Sequence, residues 1–124
     1  MKLRIRGDSI RLRLAKSDVA TLVAQGTVRE DMRMSTEATF EYRLTADRDL
    51  SGPRVSHTGS VLEVRLPREQ LERWAASNEV GIEARQPNGT PSGLLVLVEK
   101  DFPCLTARPH EDDSDAFARP VTED

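Results

Sequence analysis

Six basic residues crowd the opening of the chain, Lys2, Arg4, Arg6, Arg11, Arg13 and Lys16, with Asp8 the one carboxylate among them. Gly7-Asp8 lies at their centre and is a two-residue signal for a type II′ hairpin turn, where glycine supplies the positive φ. A turn there fixes the partners across the hairpin: Arg6 with Ser9, Ile5 with Ile10, Arg4 with Arg11, Leu3 with Leu12, Lys2 with Arg13. One face is then aliphatic, and the other sets like charges directly opposite each other, at a cost of about 0.2–1 kcal/mol per pair unless something negative stands beside them. Two kinds of chemistry answer that need. Carboxylates of a neighbouring strand or of the chain's acidic end can do so, or a bound anion, phosphate or nucleotide or the acidic surface of a partner, can be gripped by the guanidinium groups. The candidate anion-binding residues are Arg4, Arg11 and Arg13, with Arg65 of a matching second hairpin as the fourth.

The remaining reactive side chains favour plainer roles. His57 falls opposite Leu62 on the inward face of that second hairpin, which predicts a core or half-buried imidazole rather than a catalytic base. His110 stands beside Glu111, Asp112, Asp113 and Asp115, ligand types for a divalent cation, but consecutive residues in a stretch of disordered-type composition do not fix a coordination geometry, so no metal site is expected. Cys104, the one cysteine, has no accompanying nucleophile signature and is expected to be a small buried hydrophobe. The acidic pairs Glu30-Asp31 and Glu69 with Glu72 are expected to be solvated faces. The sequence carries no phosphate loop, dinucleotide fingerprint, serine-hydrolase elbow or paired-cysteine zinc spacing, and so no cofactor is expected.

The elements that position these residues come in two sets. A shift of 52 residues lays Gly7 to Val28 on Gly59 to Val80 without a gap. Few positions are identical, yet physical roles recur. Gly59-Ser60 repeats the turn of Gly7-Asp8; Leu62, Val64 and Leu66 repeat the alternation of Ile10, Leu12 and Leu14; and Leu71, Trp74 and Ala75 repeat the helical stripe of Val19, Leu22 and Val23. Ser17 is placed to cap the first helix and Pro67 suits the first turn of the second. Gly26 and Asn78 stand where a left-handed residue would close each helix of about ten residues. Val28 to Arg33 and Val80 to Arg85 read as third strands, Thr39 to Thr45 and Leu94 to Lys100 as fourth strands. The predicted fold is α+β: two tandem strand-strand-helix-strand-strand repeats, about residues 2–46 and 54–98, forming a mostly antiparallel sheet or barrel of about eight strands with two short helices. A single domain over 1–108 is followed by an acidic C-terminal tail over 109–124. The run from Leu94 to Val98 does not alternate, so both faces of that strand need cover, from Phe102, Leu105 and Phe117 or from a second chain.

The opening MKLRIRGDSIRLRL, the segment RWAASNEVGIEARQ and the ending LLVLVEKDFPCLTARPHEDDSDAF together resemble an uncharacterised family of small bacterial proteins classed only as a domain of unknown function. The resemblance spans nearly the whole chain. It implies a bacterial, cytoplasmic protein and brings no activity or ligand with it.

Composition narrows the function classes. A net charge of −3 with five aromatic residues argues against nucleic-acid binding. No stretch has the length and apolarity of a signal-peptide core or a membrane span. The sequence therefore favours a non-enzymatic binding or assembly module, whose partners would be a small anion, an acidic protein or a second copy in a homodimer. The alternative is a small enzyme or anion-sensing domain with its site near the basic hairpin face.

Overall fold

A computed structural model describes residues 1–102 of the chain. The elements run in the order β1 (Lys2–Ile5), β2 (Ser9–Leu14), α1 (Lys16–Gln25), β3 (Thr27–Arg33), β4 (Thr39–Asp47), β5 (Arg54–Thr58), β6 (Val61–Pro67), α2 (Arg68–Ala75), β7 (Gly81–Gln86) and β8 (Leu94–Lys100). Over the described residues the architecture is α+β, with two helices and eight strands.

The strands do not form one sheet, nor a closed barrel. They divide into two four-stranded sheets, ordered β1-β2-β8-β7 and β3-β4-β6-β5. Each sheet is mixed: the outer pairs are antiparallel hairpins, while the central pairs, β2 with β8 and β4 with β6, run parallel. This corrects the expectation of a single sheet or barrel; the pairings are mostly antiparallel, but the central pair of each sheet is parallel. Alternation along a strand says which side chains share a face but not which strand lies alongside, and each hairpin here finds its central partner at long sequence separation.

Inside each hairpin the register follows the turn. Arg6 and Ser9 exchange backbone hydrogen bonds of 3.1 and 3.0 Å, and the pairs Lys2–Arg13, Leu3–Leu12, Arg4–Arg11 and Ile5–Ile10 stand opposite each other. Gly7 and Gly59 take φ of 51° and 58°, while no non-glycine residue among those described has positive φ, the pattern of a II′ turn.

Aliphatic rows cross each sheet. Leu3, Leu12, Val98 and Ile82 form one, and Val55, Val64, Leu44 and Val28 form the other. All but Leu3, which is partly buried and packs against them, join Leu22 of α1 and Leu71 and Trp74 of α2 in one buried cluster. Ile82, not Val80, thus takes the place in its row that Val28 takes in the other, and Val80 is exposed. The gapless alignment ends at the helices, since the link from α2 to β7 is longer than that from α1 to β3.

The helix ends also differ from expectation. Asp18, not Ser17, serves the start of α1, its Oδ2 accepting the Ala15 N–H at 2.9 Å. Asp18 already lies three residues into the helix, where a longer side chain can reach back. Gly26 closes α1 with φ of 84°. Asn78 does not close α2, which ends at Ala75 with Ala76 in the right-handed region. Pro67 is the last residue of β6 and stands immediately before α2.

Candidate functional site

The basic hairpin face forms around a carboxylate. Because β8 runs beside β2, Arg11 stands opposite Leu97 and Arg13 opposite Glu99. Arg11 Nη2 and Arg13 Nε each donate to Glu99 Oε1 at 2.8 Å. Glu99 is 4% exposed, the one buried charged residue among those described. Its burial favours the neutral acid, but the hydrogen bonds from Arg13 and Arg11 and their positive charges outweigh that, and its carboxyl is held below the usual range. Lys2 pairs with Asp101 at 3.4 Å. Lys2, Leu3, Arg4, Arg11 and Arg13 line a cavity of about 270 Å³ on this face, and Arg11 Nε is buried there without a hydrogen-bond partner.

Three of the four predicted anion-binding residues, Arg4, Arg11 and Arg13, are thus brought together, and the fourth is not. Arg65 belongs to β6 in the other sheet, opposite Thr45 and Arg54, and pairs with Asp47 at 3.3 Å. His57 pairs with Leu62 in register, as its position implies, but it is exposed rather than buried. It sits on an edge strand near the hairpin tip; Ile5, on the edge strand of the first hairpin, is likewise exposed, by 59%. Cys104, Leu105, His110, the Glu111 to Asp115 run and Phe117 lie outside the described residues.

A larger concavity was not legible in the sequence. Between α1 and α2, at the ends of β2 and β8, a groove of about 830 Å³ is walled by Leu14, Val19, Ala20, Val23, Ala75 and Phe102, with Lys16, Glu72, Lys100 and Asp101 on its margin. Ala20 and Ala24 of α1, Ala75 of α2 and Ala76 at the end of α2 line it, and their side chains are too short to fill the space. Three of the marginal charges are engaged: Glu72 with Arg68 at 3.1 Å, Asp101 with Lys2, and Lys100 with the Ser77 carbonyl at 2.7 Å, its ammonium also 5.4 Å from the centre of the Trp74 ring. Lys16 is exposed and has no partner among the described residues. The signal that could have found it is these four alanines, Ala20, Ala24, Ala75 and Ala76, of which the helical stripes read from spacing include only Ala75.

Among the described residues no three His, Cys, Asp or Glu side chains are grouped to hold a metal ion, and no helix is long and apolar enough to cross a membrane. No curated protein and no solved structure matches the chain. A family profile does, over residues 1–121. The chain belongs to that family, which is described as a family of unknown function, DUF7009.

Proposed function

We propose that this protein is a non-enzymatic binding module whose partner is an amphipathic protein helix received in the groove between α1 and α2. The observation that carries the reading is the groove itself, about 830 Å³ of space walled by alanine, valine, leucine and phenylalanine side chains. Small side chains on both helices let a third backbone approach closely, the helix-in-groove mode of recognition. Helix α1 has ten residues, a length of about 15 Å, and so matches a partner of roughly three turns. Lys16, the one marginal charge without a partner among the described residues, calls for an acidic residue at one end of that helix. The engaged state of the other charges supports binding over catalysis, since none is poised to exchange a proton with a ligand.

The test uses the neutral solvatochromic dye Nile red. The native chain should give a saturable blue-shifted emission that Ala20→Glu, at an exposed groove position, reduces at least tenfold with an unchanged melting temperature. Equal emission from the variant, or none from the native chain, overturns the reading. Dye binding that falls as light scattering reports self-association would identify a second copy as the occupant and overturn the choice of a foreign helix.

We also read the chain as two copies of one unit. What supports this is that each sheet joins the first hairpin of one half to the second hairpin of the other, with the same antiparallel-parallel-antiparallel order. A second functional reading, a small-anion site on the basic hairpin face, is favoured by the buried, unpartnered Nε of Arg11 in its cavity.

A further inference from the structure

The carboxyl ends of the second parallel pair carry a different surface from those of the first. Where β2 and β8 end at the apolar groove, β4 and β6 end at a cavity of about 340 Å³ lined by Arg48, Leu50, Ser51, Pro67, Arg68, Glu69, Gln70 and Arg73. Arg48 follows the last residue of β4, and Arg73 lies on α2. Long helical side chains lean toward the N-terminus of their helix, so Arg73 leans toward the cavity.

The state of the charges around this cavity is specific. Arg68 is engaged, its Nε donating to Glu72 Oε2 at 3.1 Å and its Nη2 to the Val23 carbonyl at 2.9 Å. Arg48 and Arg73 are both exposed, and neither has a hydrogen-bond or ion-pair partner among the described residues. Glu69 faces the same cavity and lies four residues before Arg73, yet the two form no ion pair. Arg43 and Arg65, by contrast, are answered by carboxylates, Glu41 at 2.9 Å and Asp47 at 3.3 Å. Two unanswered guanidinium groups therefore converge on one concavity, with the Ser51 hydroxyl and the Gln70 amide as neutral donors beside them.

We propose that this cavity binds a phosphate monoester. Arg48 and Arg73 present paired N–H donors that match phosphate oxygens, a geometry an ammonium does not supply. Ser51 adds a hydroxyl donor, and the first-turn N–H groups of α2 adjoin the same space, since Pro67 supplies no capping side chain. Leu50 and Pro67 form an apolar wall for the organic part of the ester. The Glu69 carboxylate disfavours the most highly charged anions and limits the site to a single phosphoryl group.

The experiment is a titration of the full ¹⁵N-labelled chain with phenyl phosphate at constant ionic strength, with sodium chloride as control. Saturable shifts are expected at Ser51 and from Arg68 to Arg73, and the Arg48→Gln/Arg73→Gln double variant should lose at least tenfold in affinity while keeping its melting temperature. Phenol at the same concentration should leave Ser51 unmoved. Shifts equal to those of chloride, undiminished binding by the double variant, or shifts confined to Lys2 to Arg13 would overturn the proposal; the last outcome would instead support the hairpin-face anion site. Binding at this cavity is independent of the helical groove, and Nile red emission should be the same with and without the ester.

Discussion

Glu99 shows how a single residue can decide what a surface does. Like charges facing each other across the first hairpin imply a negative neighbour, and that implication is readable from Arg4, Arg11, Lys2 and Arg13 alone. Which residue answers is not readable: Glu99 ends an aliphatic run and lies 86 residues beyond Arg13 in the chain, and only the parallel pairing of β2 with β8 brings it alongside. Removing one side of such a desolvated cluster leaves the other uncompensated, so Glu99→Ala should cost about 3 kcal/mol, the low end for a buried pair because Arg11 and Arg13 keep some contact with water. The pH dependence follows from the direction of the shift. A carboxyl whose folded pKa lies below its unfolded value of 4.5 contributes stability above that value and loses it as pH falls through the folded pKa. Urea midpoints taken between pH 7 and pH 3 should therefore fall more steeply for the native chain than for Glu99→Gln; parallel curves would remove Glu99 from any role in acid lability.

At the scale of elements, local chemistry was legible wherever it is decided within a few residues. The two hairpin turns and the left-handed end of α1 follow from glycine placement, and the buried stripe of α2 follows from the spacing of Leu71 and Trp74. Expectations failed where a longer reach or a change of length intervenes. Asp18 reaches back over a turn to the Ala15 N–H, and α2, eight residues long, stops before Asn78 can act. The non-alternating β8 is buried on both faces: Val96 and Val98 lie in the core, while Leu97, on the other side, stands between Arg11 and Glu83 of the flanking strands. Gly26 offers a clean test of local control. Its φ of 84° requires the left-handed region, yet a methyl group there would meet only Arg68 Nη1, at 3.7 Å. Gly26→Ala should therefore cost about 1 kcal/mol through backbone strain and not crowding, and Gly26→Asn should recover part of it. Equal urea midpoints for the two variants would show that strain is not the cause.

Across the whole molecule, the question is what ties two separate sheets into one body. The shared apolar cluster does most of it, but polar contacts also link the two sheets. On one side Tyr42 of β4 donates its hydroxyl to the Met1 carbonyl at 3.1 Å, beside β1. On the other, the Gln86 side chain at the end of β7 accepts the Val55 N–H at 2.7 Å and donates to the Val55 carbonyl at 2.9 Å. Val55 lies on the edge strand β5, whose outward backbone groups would otherwise have no strand to pair with, and one amide satisfies both. This link was invisible in the sequence, where Gln86 falls just past the expected third strand. An amide has one donor end and one acceptor end, and that makes the link testable by charge. Gln86→Leu should lose both bonds and about 2 kcal/mol. In Gln86→Glu the ionised carboxylate still accepts from Val55 N–H but faces the Val55 carbonyl with no hydrogen to offer. Its folded pKa should therefore rise above the unfolded value, and the stability it confers should be present in the protonated form at low pH and lost as pH rises through that pKa. Trp74, the sole tryptophan and 1% exposed, reports unfolding by its fluorescence. The deficit of Gln86→Glu relative to the native chain should grow between pH 4 and pH 7, while that of Gln86→Leu stays level; a pH-independent deficit in both would mean that the amide fills space at this seam without bridging the sheets.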